Sequence, residues 1–351
     1  GDNGLIIRTD DGGYSWQRLS EGGRENINGL QMSDEKFGWA VGTKGKIWLT
    51  NDSGLNWLPV YSGTDESLNA LHFVNEERGF IVGDKGIILR TINGGQSWGP
   101  GVSGVTEDLT GVHFLNEKTG FAVGANGMIL RTDTNGAYWE EVESGTRLWL
   151  EDIKFTNDKH GVIVGDRGTI LVTNDGGVIW KKIKTNLREN LTALVFFDQL
   201  RGYTVGANGT ILRTDDGGET WIDQESPVKM NLYAITAYKR DEAIVVGEYG
   251  TVLRTQDAGK TWEVQPNITS NALQAVVYRG GDQLWIGGRG GAILKRSESL
   301  STVKTASAPK LPPVLQKLNP NNKPKLRTPM IQIVDDDDIP TAKPPKKEKP
   351  Q

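Results

Sequence analysis

Val205-Gly206-Ala207-Asn208-Gly209-Thr210-Ile211-Leu212-Arg213-Thr214-Asp215-Asp216-Gly217-Gly218-Glu219-Thr220-Trp221 is the stretch whose reading organises the rest of the chain. A short apolar run ends in a polar link and a glycine, as a tight hairpin requires. A second apolar run, Ile211-Leu212, follows, and then an Asp-Gly-Gly turn delivers a tryptophan. In such a turn the Asp side chain accepts backbone N–H bonds and glycine supplies positive φ. The tryptophan caps the hairpin by burying a large apolar face, roughly 150–250 Å² for an aromatic.

The stretch recurs. Trp16, Trp57, Trp98, Trp139, Trp180, Trp221 and Trp262 stand 41 residues apart, and so do Gly42, Gly83, Gly124, Gly165, Gly206, Gly247 and Gly288. A period of 41 is the size of one four-stranded propeller blade. One unit reads as four short strands: Leu68 to Phe73, Phe80 to Gly83, Ile87 to Thr91, and a last strand beginning at Trp98. These runs are β-branched, short and bounded by glycine, which excludes helices. The turn carries Asp11, Asp52, Asp175, Asp216 and Asp257; Asn93 and Thr134 replace Asp in two copies and can still bond the turn.

The fold class is therefore all-β, a seven-bladed propeller of four-stranded blades over residues 1–298. Third-strand copies outnumber the others by one, so eight blades are the alternative. The simplest closure pairs N-terminal strand material at 5–20 with the C-terminal strands at 273–296, since an open sheet edge is a liability. Residues 299–351 hold ten of the 14 prolines and a net charge of about +5, leaving about −9 on the rest. That composition predicts a disordered Pro/Lys-rich tail. Within it, Met330-Ile331-Gln332-Ile333-Val334 is an apolar run before Asp335 to Asp338, a peptide able to dock as a strand. The plainer reading is a solvated linker.

An acidic ring is a poor nucleic-acid binder. The absence of cysteine excludes disulfides, thiolate nucleophiles and Cys-based zinc sites. No apolar run approaches the ~20 residues needed to span a bilayer. The chain starts at Gly1 in mid-repeat, which leads to the expectation that the native N-terminus, with any export signal, lies upstream.

The motif Val-Gly-x-x-Gly-x-Ile-Leu-Arg-Thr-x-Asp-Gly-Gly-x-Thr-Trp is the Asp-box, or BNR, repeat, and across residues 1–296 it resembles the photosystem II stability/assembly-factor family of propellers. The resemblance implies a non-catalytic scaffold that binds protein partners, a membrane-protein complex among them, as a monomer and outside the cytoplasm. It implies no cofactor. It also implies an arginine patch for partner binding, for which the candidates here are Arg8, Arg90, Arg131, Arg213 and Arg254. Their plainer reading is structural, each pairing with a nearby acid or stacking on an Asp-box tryptophan.

The alternative function is a carbohydrate-active Asp-box protein, a sialidase-like glycoside hydrolase or a lectin. Glycosidases need two carboxylates facing across a sugar, on loops that break a repeat, and no loop breaks this one. No catalytic residue is assigned. Asp152 stands where other blades have Gly or Ala and is the carboxylate that most departs from the pattern; Glu248 is isolated. His72 and His113 share one position in adjacent repeats, where the others have Gln31, Lys154, Val195, Thr236 and Val277. Two ligands fall short of a zinc site, so no metal is assigned. His160 falls in an exposed turn.

Overall fold

The computed structural model describes residues 25–266, 269–280 and 283–291 in full, and the strands Leu5–Arg8, Gln17–Glu21 and Ile293–Arg296 as backbone. The 299–351 tail, Asp11, Trp16 and the side chain of Arg8 lie outside the described residues.

Six sheets of four antiparallel strands form blades 1 to 6, at 27–60, 68–100, 109–141, 150–182, 191–223 and 232–264. In each, the four strands are sheet neighbours in chain order. First strands of successive blades lie side by side and form the inner wall. The second strands, such as Gly161–Gly165, are buried along their length apart from the half-buried Glu242 that opens that of blade 6, because blades pack on both of their faces. The link to the third strand is a turn such as Asp84–Gly86, with Lys85 at φ 54° and Gly86 at φ 71°. Positive φ at both central residues is the hairpin geometry that matches strand twist. Fourth strands are shorter than expected: Gly99–Pro100 starts one residue after Trp98 and has only two residues.

Aromatic rings join the blades. Trp39 of blade 1 stacks on Phe73 of blade 2 at 3.6 Å, and Phe80 of blade 2 on Phe114 of blade 3 at 3.5 Å. The Asp-box tryptophan then meets the same Phe edge-on, as Trp98 does on Phe73 and Trp139 on Phe114. Trp39 Nε1 also donates to Gly94 O at 2.9 Å. Gly95, at φ 81°, lies so close that a Cβ would come within 2.6 Å of that nitrogen.

Every inner strand has a bulge after its first residue. Leu150 pairs with Gly165 and Asp152 with Val164, leaving residue 151 out of the ladder, and the other blades repeat this. A bulged residue re-aims its side chain, here toward the next blade. Asn28 Nδ2 donates to Leu68 O at 3.0 Å, Asn69 Nδ2 to Leu109 O at 2.9 Å, and the Thr110 and Thr192 hydroxyls to Leu150 O and Leu232 O at 2.5 and 2.6 Å.

Among the described residues the expected count of seven four-stranded blades is corrected to six, and the alternative of eight has no counterpart there. The remaining sheet has five strands: Leu273–Tyr278, Leu284–Gly288 and Ile293–Arg296, then Leu5–Arg8 and Gln17–Glu21. The reason is compositional. Leu5–Arg8 and Ile293–Arg296 are both third-strand copies, and they share this sheet in parallel, Ile7 opposite Leu294. The sheet also meets blade 1. Arg279 Nη1 donates to Met32 O and Ser33 O at 3.1 and 2.9 Å, and Trp285 Nε1 to Ser53 O at 2.9 Å.

Candidate protein-binding site

The Asp-box side chains serve the turn. Asp216 accepts from Thr220 N at 2.9 Å and from the hydroxyls of Thr220 and Thr214 at 2.5 and 2.9 Å. Asp257 makes the same bonds to Thr261, Asp52 accepts from the backbone and side-chain amides of Asn56, and Asp175 accepts from the amides of Val178 and Ile179. The hydroxyl and amide of Thr261 hold Asp257 below the ordinary carboxylate range. The substituted boxes form too: Asn93 Oδ1 accepts from Ser97 N and Thr134 Oγ1 from Tyr138 N. Trp139, Trp180 and Trp262 are buried, and Trp57, Trp98 and Trp221 half-buried.

The third-strand arginines sit near these boxes. Arg131 pairs with Asp133 at 3.1 Å and lies over the Phe121 ring. Arg213 pairs with Asp215 at 2.7 Å and donates to Ala258 O of blade 6 at 2.9 Å. Arg254 pairs with Glu242 at 3.0 Å, and the Tyr278 hydroxyl donates to the same carboxylate at 2.6 Å. Among the described residues no acid pairs with Arg90.

Along the inner wall, blade 4 departs from the others. Asp152 is held on both oxygens: Lys154 Nζ lies 2.5 Å from Oδ1, Ile153 N donates to Oδ1, and Leu194 N of blade 5 donates to Oδ2 at 3.0 Å. It is therefore an ion-paired bridge between blades. His72 and His113 do meet, with ring centroids 4.7 Å apart. Burial, followed by the charge of Lys154, lowers the pKa of His72 to about 4. Among the described residues no three His, Cys, Asp or Glu side chains form a metal-holding group. His160 is more engaged than its turn predicts: Nε2 is 2.6 Å from Gly217 O and Nδ1 2.6 Å from Asn174 Oδ1. Glu248 opens a second-to-third-strand turn, its amide on Asn231 O at 2.8 Å.

Two residues the sequence reading passed over complete the picture. Residues preceding the inner strands and the turns after the second strands share one end of the blades; Asp166 N donates to Trp149 O at 2.9 Å. At the position of Trp149, Asp108, Asn190 and Asn231 lend a side-chain oxygen to a turn amide of the preceding blade, Lys85 N, Arg167 N and Asn208 N respectively. Indole offers no acceptor. Trp149 instead leaves 39 % of its surface exposed at this mouth. Two residues on, Glu151 replaces Asn69, Thr110 and Thr192. In blade 2 Asn69 Nδ2 donates to Asp84 Oδ1 at 2.8 Å; in blade 4 the equivalent residues are Glu151 and Asp166, two acids. Burial, with the charges of Asp166 and Asp152, pushes Glu151 up to about 7. Burial raises Asp166 as well. The mouth of blade 4 thus offers an exposed indole beside an under-compensated acidic pair. The signal in the sequence was there: an aromatic where five of the other six repeats have Asn, Asp or Ser and the last has Ala272.

The sequence profile of the family described as photosynthesis system II assembly factor YCF48 matches residues 15–100, 132–192 and 178–269, well over half of the chain. The chain belongs to this family. No curated protein sequence matches it significantly. Among solved structures, YCF48 bound to D1 peptide is similar with a TM-score of 0.65 at 22% identity, over 76% of this chain and 90% of that one. YCF48 from Cyanidioschyzon merolae is similar with a TM-score of 0.65 at 17% identity, over 78% and 95%. A computationally designed protein, Ika8, is similar with a TM-score of 0.58 at 14% identity, over 78% and 96%. At these identities the family's structural relatives speak for the fold.

Proposed function

We propose that this propeller is a non-catalytic assembly or stability factor that binds a segment of a protein partner at the mouth of blade 4. Membership of the assembly-factor family, with a relative solved on a D1 peptide, supports protein binding. The observation that carries the location is Trp149 standing exposed beside Glu151 and Asp166 where other blades use side chains to bind one another. Tryptophan is the residue type most often dominant in binding energy, and the acidic pair favours a cationic group in the partner. Arg90, the arginine among those described that has no acid beside it, is proposed as the one available to a partner carboxylate. The partner we infer is a membrane-protein complex met outside the cytoplasm, on the strength of the family resemblance. The five-stranded sheet, packed on blade 1, is proposed to close the circle.

The test is affinity capture from native membrane extracts, with wild type and Trp149→Ala run side by side and the captured proteins identified. A membrane protein held by wild type and weakened about tenfold or more by W149A is the expected result. A wild-type capture that W149A leaves unchanged moves the site elsewhere, and no selective capture at all counts against the function.

A further inference from the structure

The outer strands of the blades are sheet edges. Leu58–Val60 and Gly99–Pro100 carry Pro59 and Pro100; Glu140–Glu141, Ile222–Asp223 and Glu263–Val264 carry acids. Proline and charge both discourage edge pairing. Blade 4 differs: its outer strand is Lys181–Lys182, both exposed, with exposed Lys184 after it. Immediately before it, Val178 and Ile179 are 58% and 59% exposed. In blades 5 and 6 the residue at the position of Ile179 is Thr220 or Thr261, whose hydroxyl bonds the box Asp. Val178 and Ile179 give Asp175 only their backbone amides, so their side chains face outward. Read along the chain, this edge is apolar and then basic.

Residues 330–338, Met-Ile-Gln-Ile-Val followed by four Asp, read apolar and then acidic. They contain no proline to interrupt a strand ladder. We propose that this segment adds to the Lys181–Lys182 edge of its own molecule as a fifth, parallel strand. In that orientation Ile333 and Val334 come alongside Val178 and Ile179, and Asp336 and Asp337 alongside Lys181 and Lys182. Lysine guards this edge against indiscriminate pairing, and an acidic run turns the guard into attraction; the acidic edges of blades 3, 5 and 6 repel the same run. The five-stranded sheet already takes a strand in parallel beside its own third strand, Leu5–Arg8 against Ile293–Arg296, and reaches five strands with Gln17–Glu21 antiparallel beyond it. Reach is no obstacle: the residues from Arg296 to Met330 extend to about 110 Å, against about 50 Å across a folded ring of this length. The inference is independent of the blade 4 mouth.

The chain has no cysteine, so an engineered pair forms the only possible disulfide. The full chain carrying Lys182→Cys and Asp336→Cys is oxidised at high dilution, beside one carrying Asp223→Cys and Asp336→Cys. The expected result is an intramolecular disulfide in the first, lost at high salt, and little in the second. Equal yields in both overturn the proposal, as does no disulfide in either. A disulfide between molecules overturns the assignment to the same chain and makes a second copy the occupant.

Discussion

At the scale of single residues, the inner wall holds groups in blades 2, 3 and 4 whose titration acts on stability in opposite directions. Glu151 is raised from its ordinary range to about 7. Between about 4.5 and 7 the native state then binds more protons than the unfolded chain, so stability falls as pH rises through that window. Glu151→Gln keeps the shape and removes the charge. It should stabilise the protein at pH values above about 7 by up to about 3 kcal/mol, the worth of a shift of this size, and give no gain near about pH 4. Urea midpoints at the two pH values check it; equal effects at both would mean that the charge is not the cause. The His72–His113 pair works the other way. With His72 lowered to about 4, the native state binds fewer protons than the unfolded chain, and stability is lost as pH falls from about 6.5 through about 4. His72→Gln with His113→Gln should flatten that acid limb while leaving the neutral-pH midpoint lower or unchanged, read from thermal melts across the range.

At the scale of the element, the Asp box is a self-contained turn, and its chemistry predicts an order of tolerance. Asp216→Ala removes the acceptor of three bonds and should cost about 1–3 kcal/mol. Asp216→Asn should cost much less, because Asn93 already holds the blade 2 turn with Ser97 N at 3.1 Å and Thr91 Oγ1 at 2.8 Å. Guanidinium midpoints of the two variants measure the difference, and equal losses would show that the carboxylate charge matters and not its geometry. Such determinants are local, which is why blades, turns and the box were legible in the sequence. The count of four-stranded blades was not, because it turns on which distant third-strand copy lies beside Leu5–Arg8. The site was legible in part. Asp152 stood out against Gly and Ala, whereas Glu151 replaces residues that are themselves polar and looked ordinary. Only the fold sets it against Asp166, as Asn69 is set against Asp84. Trp149 was visible as an aromatic among mostly polar counterparts, but its consequence was not, since the bonds that Asn190 and Asn231 accept at its position run between blades.

At the scale of the whole molecule, blades contact mainly their neighbours, and stability approximates a sum of blade and interface contributions. One interface differs from the rest: the five-stranded sheet against blade 1, where Arg279 bonds Met32 and Ser33, and Trp285 bonds Ser53, across most of the chain length. Forming it joins residues 247 apart in the chain, a far longer loop closure than at the junctions between sequential blades, so it should open before they do. Arg279→Ala leaves the carbonyls of Met32 and Ser33 without that donor and should lower the melting temperature by several degrees, with a broadened or split calorimetric transition as the terminal sheet detaches before the blades. Trp39→Phe is the matched control, since Trp39 Nε1 bonds Gly94 O between sequential blades 1 and 2 at the same 2.9 Å as the Trp285 bond. It should lower the melting temperature while keeping a single sharp transition, because the seam still holds. Limited proteolysis at a temperature just below the transition separates the two: R279A should be cut first between the blade 6 end and residue 296, and W39F should not. A single sharp transition in both variants would show that the terminal sheet melts with the blades and is no weaker than the junctions between sequential blades.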